Sequence, residues 1–259
     1  MLGATFSPKE AFLGLGFLFL GCATPDEKLT PAQYIEKNSS VLEQLRSYKE
    51  SERQEGIERF QRLGREQGGA IILYVLSDPK LNDYRLEVVL ARILADWKNP
   101  EAIRFLLPSL KALDEGAARI AAEGLLAFQD NPVVLEALDE MLKSPVLRER
   151  KTAAEALSKF RGPRAAEILG SRLKAETDLD VRGLILLGVL SNHHPRRREY
   201  LVDALTDSDS AIREEAWRAL GKYSDLPRVR FDPNGDLEER ARDVAALRLW
   251  LKEAKRSEK

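Results

Sequence analysis

The sequence predicts an all-α fold: a right-handed α–α superhelix of about six stacked helical hairpins with capping helices. Three observations predict it. Leu63, Leu94, Leu125, Leu157, Val189 and Leu220 recur at intervals of 31 or 32 residues. Pro100, Pro132, Pro163, Pro195 and Pro227 keep the same interval, and so do Leu110, Leu142, Leu173 and Leu205, each ten residues after its proline. Three registers in step over most of the chain mark an internal repeat.

Residues 1–22 read as an export segment. Ala11–Leu20 is an uncharged apolar run of ten, with Lys9 before it. A spanning helix needs about 20 apolar residues, so the run has the length of a signal-peptide core. It ends at Gly21-Cys22, and a polar stretch, Ala23-Thr24-Pro25-Asp26, follows. Here the chain resembles a bacterial lipoprotein signal, in which the cysteine becomes the lipidated first residue of the mature protein. The resemblance implies a lipid anchor at Cys22 and a bacterial envelope location facing the periplasm. Ala23 after the cysteine favours the outer membrane. In this sequence Phe19 and Leu20 stand where the lipoprotein pattern has Leu and a small residue. The other reading of the segment is an uncleaved apolar N-terminus with a buried cysteine.

Residues 23–50 read as a linker and an N-terminal capping helix, Ser40–Tyr48, opened by a Ser40…Glu43 capping box. Residues 51–223 hold the repeats. In the best-defined copy, Ile212, Ala216, Trp217, Ala219 and Leu220 fall at helical spacing. Ala121, Ala153 and Ala216 share one position, where a small side chain lets helices approach. An aromatic recurs near the end of this first helix: Trp97, Phe128, Phe160 and Tyr223. The proline then starts the second helix, since its missing N–H is no loss at a helix start. Asn99 and Asn131 are its expected N-caps. Pro108, inside a second helix, is expected to kink it, and Gly68-Gly69 reads as an inter-helix turn. Residues 224–259 break the period with an Asn234-Gly235 turn. A last helix follows, capped by Asp236 with Glu239 and striped by Val244, Leu247 and Leu251.

The repeats resemble the short HEAT-like repeat also found in phycobilin lyases. The resemblance lies in Asp178-x-Asp180-Val181-Arg182 and Asp207-x-Asp209-x-x-Ile212-Arg213, followed in the last copy by Ala219-Leu220-Gly221 and then proline. It covers Ser51 to Tyr223 and implies a HEAT-like solenoid whose second helices line the concave surface.

Chemistry is sparse. The 41 basic and 42 acidic residues nearly cancel, which argues against nucleic acid as a partner, because phosphate binding rests on excess Lys and Arg. A single cysteine allows neither an internal disulfide nor a cysteine-rich zinc site. The two histidines, His193 and His194, share one turn without a third ligand nearby. No nucleophile–base pair, phosphate loop or dinucleotide fingerprint stands out. The expectation is therefore a non-enzyme with no catalytic residue, cofactor or metal.

Two surface features are candidate partner-binding sites. His193, His194, Arg196, Arg197 and Arg198 surround Pro195 at the start of a second helix. Cations there oppose the helix dipole, so an anionic contact is one reading and a solvated charge run paired with Glu199 and Asp203 is the other. A row on the second helices, Glu136, Glu140, Glu167, Glu199 and Asp203, suggests a weakly acidic groove, against ordinary polar-face residues. The leading expectation is a membrane-tethered scaffold binding a protein in that groove. The alternative is an enzyme acting on a small ligand, in the manner of the phycobilin lyases.

Overall fold

Apolar stripes, aspartate caps and prolines turn this repeat into helices, and the computed structural model describes them over residues 29–192 and 194–257. The first elements are α1 (Pro31–Lys37), α2 (Ser40–Arg46), α3 (Glu50–Ser77), α4 (Tyr84–Asp96), α5 (Ala102–Ser109) and α6 (Glu115–Leu125). Next come α7 (Pro132–Leu142), α8 (Leu147–Lys159), α9 (Pro163–Arg172) and α10 (Leu179–Ser191). The series closes with α11 (Arg197–Ala204), α12 (Ser210–Leu220) and α13 (Leu237–Ser257).

Four first helices, α4, α6, α10 and α12, open on an aspartate. Asp83, Asp114, Asp178 and Asp209 each accept a hydrogen bond from a free N–H of the first turn. The fifth, α8, has Val146 at its cap and no side-chain acceptor there. Among the second helices, Pro132 and Pro163 stand at the first turns of α7 and α9. Asn131 caps α7 as expected, whereas Asn99 sits in the turn before α5 and binds the Glu101 N–H at 3.0 Å.

One hairpin cannot bury its own apolar stripe, so the copies stack. First helices α4, α6, α8, α10 and α12 pack side by side in one layer, and α5, α7, α9, α11 and α13 in a second. Between the layers lie the predicted registers. Leu94, Leu125, Leu157, Val189 and Leu220 are buried, as are Leu110, Leu142, Leu173, Leu205 and the alanines Ala121, Ala153 and Ala216. The architecture is an all-α solenoid.

Several local expectations differ from the structure. The break in α3 falls at Gly64, with φ 74° and ψ 173°, a conformation that a side chain disfavours. Gly68 and Gly69 lie inside the helix that follows, where Gly68 leaves room for the Trp97 ring. The N-terminal cap is two short helices, and its capping box joins Thr30 and Gln33. Ser40 lies inside α2, and Glu43 binds Arg46 instead. Pro108 lies inside α5, one residue before its last, and α5 stops where α9 and α11 stop relative to their prolines. The last helix, α13, is capped by Asp236 as expected and buries Val244 and Leu247 against the second-helix layer beside α11.

Two devices set the spacing between repeats. The first is an arginine four residues after the cap of α8, α10 and α12. Arg150 donates to the Ser144 carbonyl of its own loop and to Glu176 of the next, at 2.9 and 3.1 Å. Arg182 joins the Thr177 carbonyl to Asp207, and Arg213 joins the Asp207 and Ser208 carbonyls to that of Pro233. In α4 and α6 the same position holds Glu87 and Ala118. The second device is one position on the inner side of the first helices: Gly124, Ala156, Gly188 and Ala219. A Cβ at Gly188 would collide with Leu169 and stand 3.0 Å from the Ser158 Cα, while one at Gly124 would meet Leu106 and Arg92. Where glycine stands, α6 closes on α4 and α10 on α8. Where alanine stands, α8 and α12 sit further from their predecessors.

Candidate functional site

Cys22 and His193 lie outside the described residues. The other candidate positions fall along the exposed side of the second helices and at the turn before α11.

Along the second-helix row, the carboxylates have cations beside them. Lys143 binds Asp139 at 2.8 Å and Glu140 at 2.6 Å. Arg164 binds Glu167 at 2.6 Å, and Arg196 binds Glu199 at 3.0 Å. Asp203 receives Lys174 at 2.9 Å and Arg248 of the last helix at 3.1 Å. Glu136 is exposed on α7. The Arg164 hydrogen bond and charge, with His194 and Arg196 further off, hold the Glu167 carboxyl below the usual carboxylate range. The row is thus a mixed-charge strip in which most acids are already compensated.

The structure joins this strip to the arginine cluster. Next to Glu167, across the α9–α11 contact, the His194 ring stacks on Tyr200 with centroids 5.7 Å apart, and the Arg196 guanidinium stands 5.2 Å from the same ring. Tyr200 is buried against α9, its ring occupying the space left by Gly170, and burial pushes its hydroxyl pKa up. The His194 Nδ1 accepts from the Arg196 N–H at 3.0 Å. Arg198 turns the other way, binding Asp225 at 2.8 Å and lying over the rings of Tyr223 and Trp250. Arg197 is half-buried, with a buried Nε that has no hydrogen-bond partner. Asn192, in the place of the recurring aromatic, is buried and donates to the Gly188 carbonyl. Arg196 therefore pairs with Glu199 of its own helix, as sequence reasoning pairs it, and Arg198 reaches Asp225 of the next turn.

Grooves open between repeats: one of about 260 Å³ lies beside the Arg150–Glu176 pair, and two are larger. One of the larger two, of about 590 Å³, lies between α5 and α7 on the second-helix side. Leu107, Pro108, Ala137 and Met141 line it, with Lys111, Glu140 and Glu149 also in its lining. The other, of about 420 Å³, lies between α6 and α8 on the first-helix side, where alanine replaces glycine at position 156 and arginine at position 118. Its lining includes Gly116, Ala118 and Ala122 with Arg119, Lys151, Glu155 and Lys159. Sequence reasoning missed both of these grooves. Their signals are departures from the repeat, Pro108 in one and Ala118 with Ala156 in the other.

Among the described residues no group of three His, Cys, Asp or Glu side chains is arranged to hold a metal ion. No described helix is long and apolar enough to cross a membrane.

Comparison with known proteins bears on the fold. No curated protein matches the chain. A crystal structure of an engineered protein is similar, with 17% identity, 70% of this chain and 94% of the other covered, and a TM-score of 0.39. Human deoxyhypusine hydroxylase in complex with glycerol is similar at 17% identity over 82% of this chain and 94% of that enzyme, with a TM-score of 0.31. The family model for HEAT repeats matches residues 114–189, the stretch from the Asp114 cap through α10. Residues 114–189 are thus similar to HEAT repeats and lie within a longer all-α solenoid.

Proposed function

We propose that this protein is a non-catalytic interaction scaffold of the bacterial envelope, anchored through Cys22 and binding a protein partner on its second-helix face. The observation that carries the binding half is the groove between α5 and α7. Its apolar lining of Leu107, Pro108, Ala137 and Met141 suits side chains of a partner segment, and polar residues around them would set register. Glu140, one of the acids singled out from the sequence, belongs to this groove, and Glu136 stands one turn away on the same helix. Lys143 offsets Glu140, so apolar contact supplies the affinity and charge the selectivity. The anchoring half rests on the apolar run and the boundary cysteine.

The test is done in the native host. Intact mass and membrane fractionation of the wild type and a Cys22→Ala variant read the anchor. A mature chain beginning at Cys22 with added acyl mass supports it, and an unprocessed chain in the soluble fraction overturns it. A photo-crosslinker at Ala137 reads the groove. Capture of one defined protein that Met141→Glu abolishes supports the scaffold reading, and no crosslink at any growth stage overturns it.

A further inference from the structure

The loops joining one repeat to the next form one long edge of the solenoid, and direct contacts fix their order along it. The Arg85 guanidinium lies over the Tyr48 ring at 3.8 Å, and Arg85 and the Tyr84 hydroxyl both reach Asp114. Arg148 reaches back to the Lys111 and Ala112 carbonyls, and Arg150 forward to Glu176. Five loops thus lie side by side, and at about 10 Å per helix they span roughly 40 Å.

Each of these loops carries an exposed apolar or aromatic side chain: Tyr48, Tyr84, Leu113, Val146 with Leu147, and Leu179. Their exposure runs from 46 to 88%. Leu147 and Leu179 each occupy the first position of a helix, where a polar residue would serve equally well. The opposite edge, made by the turns within repeats, is different. There the exposed large apolar side chain is Val133, among residues such as Asn131, Arg161, Arg164 and Arg196. Isolated exposed apolar side chains need no explanation, but one in each of five successive loops does; the next loop, residues 205–209, carries none.

The same edge carries a fourth register that the sequence holds. Lys49, Lys80, Lys111, Lys143 and Lys174 recur at 31, 31, 32 and 31 residues, one per loop, all exposed. Lys80, Lys111, Lys143 and Lys174 follow a helix end, where a cation also favours the helix dipole, and Lys49 stands at the N-cap of α3 and pairs with Glu52. A lysine therefore has a structural use at each of these places. Of the side chains beside them, Tyr48 lies under the Arg85 guanidinium and the Tyr84 hydroxyl donates to Asp114, whereas Leu113, Leu147 and Leu179 stand exposed at 88, 46 and 46%.

We propose that this edge lies along the surface of a lipid bilayer. The proposal builds on the tethered reading, since a lipid at Cys22 would hold the solenoid within reach of a membrane. The leucines at the loop tips enter the headgroup boundary, and the ammonium groups of Lys80 and Lys111 meet lipid phosphates, while Lys49, Lys143 and Lys174 pair with carboxylates of the chain. A bilayer accepts apolar side chains spread singly along a line. A protein partner requires them gathered into one desolvated patch, and here they are spread over five loops. The orientation that results leaves the turn edge with Arg196 facing away from the membrane and both larger inter-repeat grooves standing upright beside it.

The test uses the full-length chain with Cys22→Ala and a single environment-sensitive fluorophore, on Leu113→Cys in one sample and on Val133→Cys in another. Vesicles of phosphatidylethanolamine and phosphatidylglycerol carry a nitroxide-labelled lipid. The expected result is a blue shift and quenching at position 113 with neither at position 133. No change at either position overturns the proposal, and so does equal quenching at both, which would show adsorption without orientation. A second variant, Leu113→Glu with Leu147→Glu and Leu179→Glu, alters only exposed side chains, so helicity is retained. It should weaken vesicle binding by about tenfold or more. If the triple variant instead loses a co-purifying protein while vesicle binding is unchanged, the edge belongs to a protein and the proposal falls. The mass of the wild-type protein reads the anchor independently, so failure of the edge and failure of acylation give different results.

Discussion

The step from α8 to α10 and the step from α6 to α8 use the same repeat and pack differently. In the first, Gly188 lets α10 come down on the α8 backbone, and Arg150 clamps the loops through a bidentate pair with Glu176. In the second, alanine stands at position 156, Arg148 reaches back to the Lys111 and Ala112 carbonyls, and a groove of about 420 Å³ remains. The glycine step thus brings first helices closer than the alanine step, while a guanidinium bridges the loops in both. Interiors are packed too tightly to absorb even a methyl without movement.

The largest expected effect comes from breaking the clamp on the closed step. Arg150→Ala leaves the Glu176 carboxylate, whose side chain is 4% exposed, without its partner. A loss of about 3–5 kcal/mol is expected, read by urea unfolding and by faster hydrogen exchange in α8 and α10. Removing both charges, Arg150→Met with Glu176→Leu, should restore much of it. If the single variant is as stable as the wild type, the ladder is ornamental. Next is Gly188→Val, whose side chain meets Leu169 and the Ser158 backbone; overpacking of this kind costs about 1–3 kcal/mol. Ala156→Val, on the open step, should cost less, and the reverse order would refute the account of spacing.

Acid should loosen the closed step first. Burial works to raise the Glu176 pKa, but the Arg150 hydrogen bond, the Asp178 and Thr177 N–H groups and the Arg150 charge together hold it below the usual range. A carboxyl depressed in the folded state contributes stability above its unfolded pKa, about 4.3, and loses it as pH falls through the folded value. Hydrogen exchange in α8 and α10 should therefore rise below about pH 4, and in an Arg150→Met, Glu176→Leu protein this rise should be smaller. The smallest expected effect is a gain. Val146→Asp would give α8 the side-chain cap that the other first helices have, worth about 0.5–1 kcal/mol, and a thermal melt would read it.

Much of the solenoid is legible in the amino-acid order. The leucine and proline registers place the buried residues, and Asp178 and Asp209 announce the helix starts they cap. These are local signals, repeated, so each copy checks the others. Departures from the repeat are harder to read. Gly64, Gly68 and Gly69 are all glycines within six residues, and only packing against Trp97 shows which of them breaks the helix. The arginine cluster reads as a free basic surface because Asp225 and Trp250, which engage Arg198, lie 27 residues or more along the chain.

The sequence alone determined an all-α solenoid with its period, its buried registers and its capped starts, because each depends on neighbours within one or two helical turns. Tertiary structure alone decided which steps close, where the grooves open, and that five lysines and their apolar neighbours share one edge. Those outcomes depend on contacts between residues about 30 positions apart, where a single methyl group or a distant carboxylate changes the result.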